Sequence, residues 1–257
     1  MCRWAAYIGE PRYLEDIVSR PGQSLIDQSL RAVESKTETN GDGFGLAWYG
    51  ERETPGLYHD VLPAWADDNL RSLAHQVRSR LFLAHVRAAT GTTTSRSNCH
   101  PFAAGKWVFM HNGQVGGYTG FRRKVDMKIS EDVYAHRHGT TDSEAIFLLA
   151  LGDGLDDDPK GALERATGRM EALSREAGTT PHMRMTAAIS DGNRLYCARY
   201  ASDQFAPTLY HRPMEGGHVV VSEPLDRRED GWEAIPPSSF AVIGPDGAEI
   251  SPFAPSQ

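Results

Sequence analysis

Turn punctuation constrains the fold of this chain more than any other feature. Asn40-Gly41 and Asp42-Gly43 stand in NGDGFGLAWYG, Asn112-Gly113 in MHNGQ, Asp191-Gly192-Asn193 in RMTAAISDGNRLYCARY, and Asp246-Gly247 in SSFAVIGPDGAEISPF. Glycine, asparagine and aspartate reach the backbone angles of tight hairpins, and the flanking runs alternate apolar with small or polar residues. Further strands are expected in WAAYIG, LFLAHVRAATG, KWVFMHNG and GGHVVVSEP. Hairpins join antiparallel neighbours, so the sheets should be largely antiparallel, with helices packed outside them.

The helices are fewer. Residues 11–30 carry helical patches broken at Pro21-Gly22. Leu70, Leu73, Ala74 and Val77 fall at i, i+3, i+4, i+7, one apolar stripe. TDSEAIFLLALG opens a helix that Thr141 or Asp142 can cap, with Glu144 in its first turn. ALERATGRMEALSREAG is amphipathic and stops at Gly178, a natural C-terminal residue. The order is strands, two helices, then strands. No repeat or low-complexity linker divides the 257 residues, so a single domain over 1–257 is expected.

A net charge of −7 argues against a nucleic-acid surface, which wants clustered Lys and Arg. No run approaches the roughly 20 apolar residues of a membrane span, and the opening residues do not resemble a secretory signal. The chain is read as cytoplasmic. Its three cysteines, Cys2, Cys99 and Cys197, are too widely spaced for a disulfide framework or a zinc knuckle. Cys197 reads as a strand residue, and Cys99 follows a polar loop.

Cys2 is the odd one. Methionine removal would leave a thiol and a free α-amine on one residue. Such an amine titrates near 7.7–8.0, low enough to serve as a base beside its own nucleophile. Arg87 ends an apolar strand, where a guanidinium can grip a carboxylate, and Thr90 and Gly91 add donors. Asn112 and Gly113 offer an amide and a backbone N–H, the parts of an oxyanion hole. Asp142 opens a helix and can face an ammonium group. Each also has a plainer reading: a buried strand residue, a surface ion-pair partner, a hairpin turn and a helix cap.

Nucleophile, carboxylate clamp, oxyanion hole and ammonium acceptor together suit cleavage of a γ-glutamyl amide. In the order Cys2, RAATG, HNG, TDSE the chain resembles the class-II glutamine amidotransferases, the N-terminal-nucleophile hydrolases with a catalytic cysteine. The likeness extends through MCRW, NGDGFGLAWY, NCHPF and VVVSEPLD before GWEAIP. The late pieces are most similar to small stand-alone members, such as the γ-glutamyl amidohydrolase type of ergothioneine biosynthesis.

The resemblance implies an α+β, four-layer αββα sandwich, two mostly antiparallel sheets between helical layers. It implies Cys2 as nucleophile, with Asn112 and Gly113 as the oxyanion hole. Arg87, with Thr90, would bind the α-carboxylate and Asp142 the α-ammonium, with His111 a further substrate contact. Neither a metal nor an organic cofactor is called for. Family members that use glutamine often carry RWATHG where this chain has RAATG. Ala88 then leaves the pocket more open, and a γ-glutamyl compound larger than glutamine becomes the expected small-molecule substrate. No synthase domain accompanies the motifs, so a simple hydrolase is expected. The alternatives are a glutaminase feeding ammonia to a separate synthase and a non-catalytic γ-glutamyl sensor.

The remaining groups read as solvated structure. His136 and His138 lack a third metal ligand nearby. Arg122, Arg123, Lys124 and Lys128 form a basic face that can at most guide an acidic substrate. LGDGLDDDPK lacks calcium-loop spacing and joins two helices. Ser222-Glu223-Pro224 is given no catalytic duty.

Overall fold

The computed structural model describes residues 2–34, 38–89, 91, 93–226 and 231–256. The chain opens with β1 (Arg3–Tyr13), then short helices α1 (Glu15–Val18) and α2 (Leu25–Leu30). Strands β2 (Phe44–Trp48) and β3 (Gly56–Asp60) form a hairpin, and α3 (Asp68–Gln76) leads into β4 (Arg78–Val86). Next come β5 (Phe102–Ala104), β6 (Trp107–Val115) and the helices α4 (Tyr118–Asp126), α5 (Glu131–Tyr134), α6 (Asp142–Gly152) and α7 (Pro159–Glu176). Seven strands follow among the described residues: β7 (Met183–Ser190), β8 (Leu195–Ala201), β9 (Tyr210–Met214), β10 (Gly217–Val221), β11 (Glu233–Ala234), β12 (Ser239–Gly244) and, pairing with β12, β13 (Gly247–Pro252).

One sheet runs β11-β9-β10-β1-β4-β2-β3 and the other β13-β12-β8-β7-β6-β5, with every pairing antiparallel. Trp4, Ala6 and Ile8 of the first sheet share one apolar cluster with Val108, Met110, Ala188 and Ile243 of the second, so the sheets face each other. The outer face of the first sheet packs Tyr7, Phe44 and Phe82 against Ile17, Leu25 and Leu70 of α1, α2 and α3. The outer face of the second packs Phe109, Met185 and Phe240 against residues of α4, α6 and α7. This is the expected αββα sandwich. The alternation of a strand, inward then outward, supplies both layers at once.

Helix α6 is apolar on every side and buried from Ser143 through Ala150, because α7 covers the face that β6 does not. Thr141 caps it, its Oγ1 accepting the Glu144 N–H at 3.1 Å. Gly178 follows α7 with φ +67°, the left-handed residue expected there.

Several expectations need correction. WAAYIG is not a short strand: pairing to β4 carries β1 on to Tyr13, across a register shift between Ile8 and Arg12. Asn112-Gly113 is no turn, since β6 continues to Val115 and Gly113 lies opposite Met185. Asn40 to Gly43 leads into β2 rather than closing a hairpin. The two middle helices are four, and the basic residues Arg122, Arg123 and Lys124 lie on α4. Strands β3, β5, β9 and β11 escaped the sequence reading. The hairpins at 191–193 and 246–247 form as expected. Among the described residues, no helix is long and apolar enough to cross a membrane.

Candidate active site

Strand β1 lies between β10 and β4, its Ala5 opposite both Val221 and Ala84. Cys2 immediately precedes this strand and is therefore fixed at the end of the first sheet's central strand. Its thiol donates to the Ala88 carbonyl at 3.6 Å and accepts the Ala88 N–H at 3.4 Å. Burial raises the thiol above its ordinary titration range. The Ala88 N–H and the positive charges of Arg87 and Arg3 act in the opposite direction.

A narrow cleft of about 40 Å³ brings together Cys2, Arg87, His111, Gly113 and Asp142. Five of the seven predicted site residues thus meet at one place. Thr90 lies outside the described residues, as does Met1. Asn112 is 1% exposed and does not line the cleft; the alternation of β6 places it on the inter-sheet face with Val108 and Met110. Neither its Nδ2 nor its Oδ1 has a hydrogen-bond partner. A buried amide left like this carries a desolvation cost of about 1–3 kcal/mol.

Arg87 and Asp142 are held by backbone groups. Arg87 is 3% exposed, and its Nη1 and Nη2 donate to the carbonyls of Asp42 (3.2 Å) and Thr93 (3.3 Å). Its own N–H and carbonyl bond to Gly43 and Asp42, so the loop before β2 sets its direction. The Asp142 carboxylate accepts N–H groups from Val115 of β6 at 2.8 Å and from Ser143 at 2.9 Å. Asp142 is therefore not a helix cap but a clasp between α6 and the end of β6.

Gly113 has φ +154°, and a Cβ there would stand 1.8 Å from the Arg184 carbonyl oxygen. Only glycine lets β6 pass so close to β7. His111 turns towards the helices, sharing a 2.8 Å hydrogen bond between its Nδ1 and the Ser143 hydroxyl. Burial holds its pKa down, partly offset by the charge of Asp142, so the ring is neutral near neutral pH.

Sequence reasoning counted NCHPF in the family likeness but gave His100 no role, yet His100 lines the same cleft with neither ring nitrogen hydrogen-bonded. It stacks on His85 with ring centroids 4.2 Å apart. Burial lowers both, His85 to about 3. His85 donates from Nε2 to the His111 carbonyl at 3.3 Å, linking the two sheets. Cys99 next door is buried and pushed up to about 11, an inert thiol. Glu223 also carries more than its sequence suggested. It accepts from Arg3 Nε at 2.7 Å, Gln23 Nε2 at 3.0 Å and the N–H groups of Val33 and Glu34 at 2.9 and 3.0 Å. His136 and His138 belong to a loop organised by Glu144, whose carboxylate takes the N–H groups of His138 and Gly139 and the Arg137 guanidinium. Among the described residues, no group of three or more His, Cys, Asp and Glu side chains is arranged to hold a metal ion.

Comparison with known proteins places the chain among relatives of one family. The family model described as "Glutamine amidotransferases class-II" matches residues 23–223. A probable glutamine amidotransferase of Saccharomyces cerevisiae is 31% identical over 95% of this chain and 82% of its own. The γ-glutamyl-hercynylcysteine sulfoxide hydrolase of Mycolicibacterium smegmatis is 31% identical over 92% of each chain. A solved glutamine aminotransferase class-II domain protein from Silicibacter pomeroyi is 48% identical, covers all of both chains, and superposes with a TM-score of 0.81.

Proposed function

This chain belongs to the class-II glutamine amidotransferases, and on that premise we propose that it hydrolyses the γ-amide of glutamine or of a γ-glutamyl compound through a thioester on Cys2. The observation that carries this reading is the meeting of the Cys2 thiol with Arg87, Gly113 and Asp142 around one cleft. Removal of Met1 in the cytoplasm exposes the Cys2 amine. That amine takes the thiol proton as Sγ bonds to the γ-carbonyl carbon, which offsets the raised thiol pKa. The C–N bond then breaks, the leaving nitrogen takes the proton, and water cleaves the thioester to restore the thiol.

In this reading Arg87, joined by Thr90, receives the α-carboxylate, and the clasped Asp142 receives the α-ammonium, with His111 alongside. The Gly113 N–H and the Asn112 amide stabilise the oxyanion. Asn112 lies outside the cleft lining, so in this reading its unpartnered Nδ2 reaches the oxyanion from the inter-sheet face. The name of the mycobacterial relative, a hydrolase of a γ-glutamyl compound, supports hydrolysis as the outcome.

Cys2→Ala should lower turnover by about 10³-fold or more while leaving circular dichroism and thermal unfolding intact. An uncleavable extension ahead of Cys2 should do the same, because it blocks the amine. Full activity in either protein, with N-terminal mass spectrometry confirming the sequence, overturns the mechanism.

A further inference from the structure

Regular pairing between β10 and β1 ends at Val221, opposite Ala5. Beyond it, side chains continue the attachment. Ser222 Oγ accepts the Trp4 N–H at 2.9 Å, and the Ser222 N–H donates to the Trp4 carbonyl at 3.0 Å. Glu223 Oε2 then accepts Arg3 Nε at 2.7 Å. Strand alternation turns Arg3 to the face of Ala5 and Tyr7, so its side chain does not line the Cys2 cleft. The guanidinium instead reaches back along the strand, and its Nη1 donates to the Cys2 carbonyl at 2.9 Å.

Both side chains of this pair are 1% exposed. Glu223 also receives Gln23 Nε2 and the N–H groups of Val33 and Glu34, whereas Arg3 keeps its Nη2 buried without a partner. Taking two charges out of water is expensive, and such a pair is often no more stabilising than apolar residues of the same volume. Stability alone is a weak reason for an arginine here. Its contact with residue 2 is a better one. The Cys2 thiol is held between the N–H and the carbonyl of Ala88, at 3.4 and 3.6 Å, and the Cys2 carbonyl is held by Arg3. Two of the substituents on the Cys2 Cα are thereby fixed, and L chirality then dictates where the amine points. The amine needs no contact of its own to be aimed.

We propose that Arg3 and Glu223 are positioning residues for the Cys2 amine: Glu223 orients the guanidinium, and the guanidinium holds the Cys2 carbonyl so that amine and thiol face the cleft together. This rests on the Cys2 reading above and names the groups that set its base. Neither side chain lines the cleft, so both act through the backbone of residue 2. Release of the carbonyl lets residue 2 turn, and a misplacement of about 1 Å is enough to cost about 10²-fold in rate. Arg87 and Asp142, which receive the substrate in that reading, are attached to other segments, so substrate affinity survives.

The test compares Arg3→Met, Glu223→Gln and the protein carrying both, with glutamine and γ-glutamyl-p-nitroanilide as substrates. Each single substitution strands one buried charge and should lower the thermal unfolding midpoint. The two together remove both charges, keep an acceptor at position 223 for the 33–34 backbone, and should recover most of that loss. The rate should not recover: kcat should stay about tenfold or more below that of the unmodified protein, with KM within about twofold. Recovery of kcat along with the midpoint makes the pair purely structural and overturns the proposal, as does a loss of kcat/KM that lies in KM. Should the doubly substituted protein not fold, Gln23→Leu loosens Glu223 from a partly exposed position. It should lower kcat by about twofold or more at constant KM, and an unchanged kcat overturns the proposal. Cys2→Ala, run alongside, separates the two readings. Turnover without the thiol removes the nucleophile reading and this proposal with it, whereas turnover that needs the thiol and ignores Arg3 and Glu223 removes the proposal alone.

Discussion

Along β4, Leu81 and Leu83 give way to His85; along β6, Val108 and Met110 give way to Asn112; along β7, Ala188 gives way to Thr186. These positions share the inter-sheet face, and the antiparallel registers bring the polar members to the same end, beside Trp4 and Cys2. The far end is apolar apart from Tyr49, Ser79 and Ser190, whose hydroxyls all have hydrogen-bond partners. The near end buries His85, His100 and Asn112 with nitrogens or oxygens that have no partner. One end of a single layer stabilises the sandwich. The other buries polar atoms without partners, at a cost in stability.

This contrast makes measurable differences. Met110→Ala, in the apolar end, should cost about 2–5 kcal/mol of unfolding free energy with little change in kcat. Asn112→Ala, its neighbour but one, should change stability by less than about 1 kcal/mol and lower kcat by about 10²–10³. Denaturant melts and steady-state rates on the two proteins decide it, and similar losses of stability would erase the distinction. Gly113→Ala should cost about 3 kcal/mol, because the added methyl meets the Arg184 carbonyl at a backbone angle that side chains avoid. An unshifted urea midpoint would mean that β6 and β7 separate easily there.

Acid probes the polar end selectively. His85 and His100 are neutral when folded, with pKa values held far below 6.5, so the unfolded chain binds more protons as pH falls. Their contribution is fully present above about pH 6.5 and is lost as pH drops towards the folded value, near 3 for His85. Each should add about 1.4 kcal/mol per pH unit to the slope of stability within that window. Urea midpoints from pH 7 to 4 measure it, and His100→Leu should make the curve shallower. The smallest effect is expected at Thr186→Val. It removes the hydroxyl that accepts Trp4 Nε1 at 3.3 Å across the sheets and should cost about 1 kcal/mol.

Much of this architecture was legible in short-range chemistry. The hairpins at Asp191-Gly192-Asn193 and Asp246-Gly247, the α3 stripe and the Thr141 cap all depend on neighbouring residues. What escaped depends on distant ones. Asn112-Gly113 has turn chemistry, yet eight pairings to β7 keep it extended. Strand β9 holds Pro213 and alternates poorly; only β10 and β11 on either side make it a strand. The clustering of Cys2, Arg87, Gly113 and Asp142 was expected from their order as motifs. His100 and Arg3 were not singled out, because nothing local reveals that a ring or a guanidinium is buried with an unused nitrogen.

Glu223 ties residue 3 to residues 23, 33 and 34, and β1 lies against β10 only once Val221 is in place. A ribosome therefore has to release most of the chain before the sulfur at position 2 gains its surroundings. Until the last third of the polypeptide closes over the first, residue 2 lacks the pairing of β1 with β10 and the Glu223 contacts that hold its neighbour Arg3.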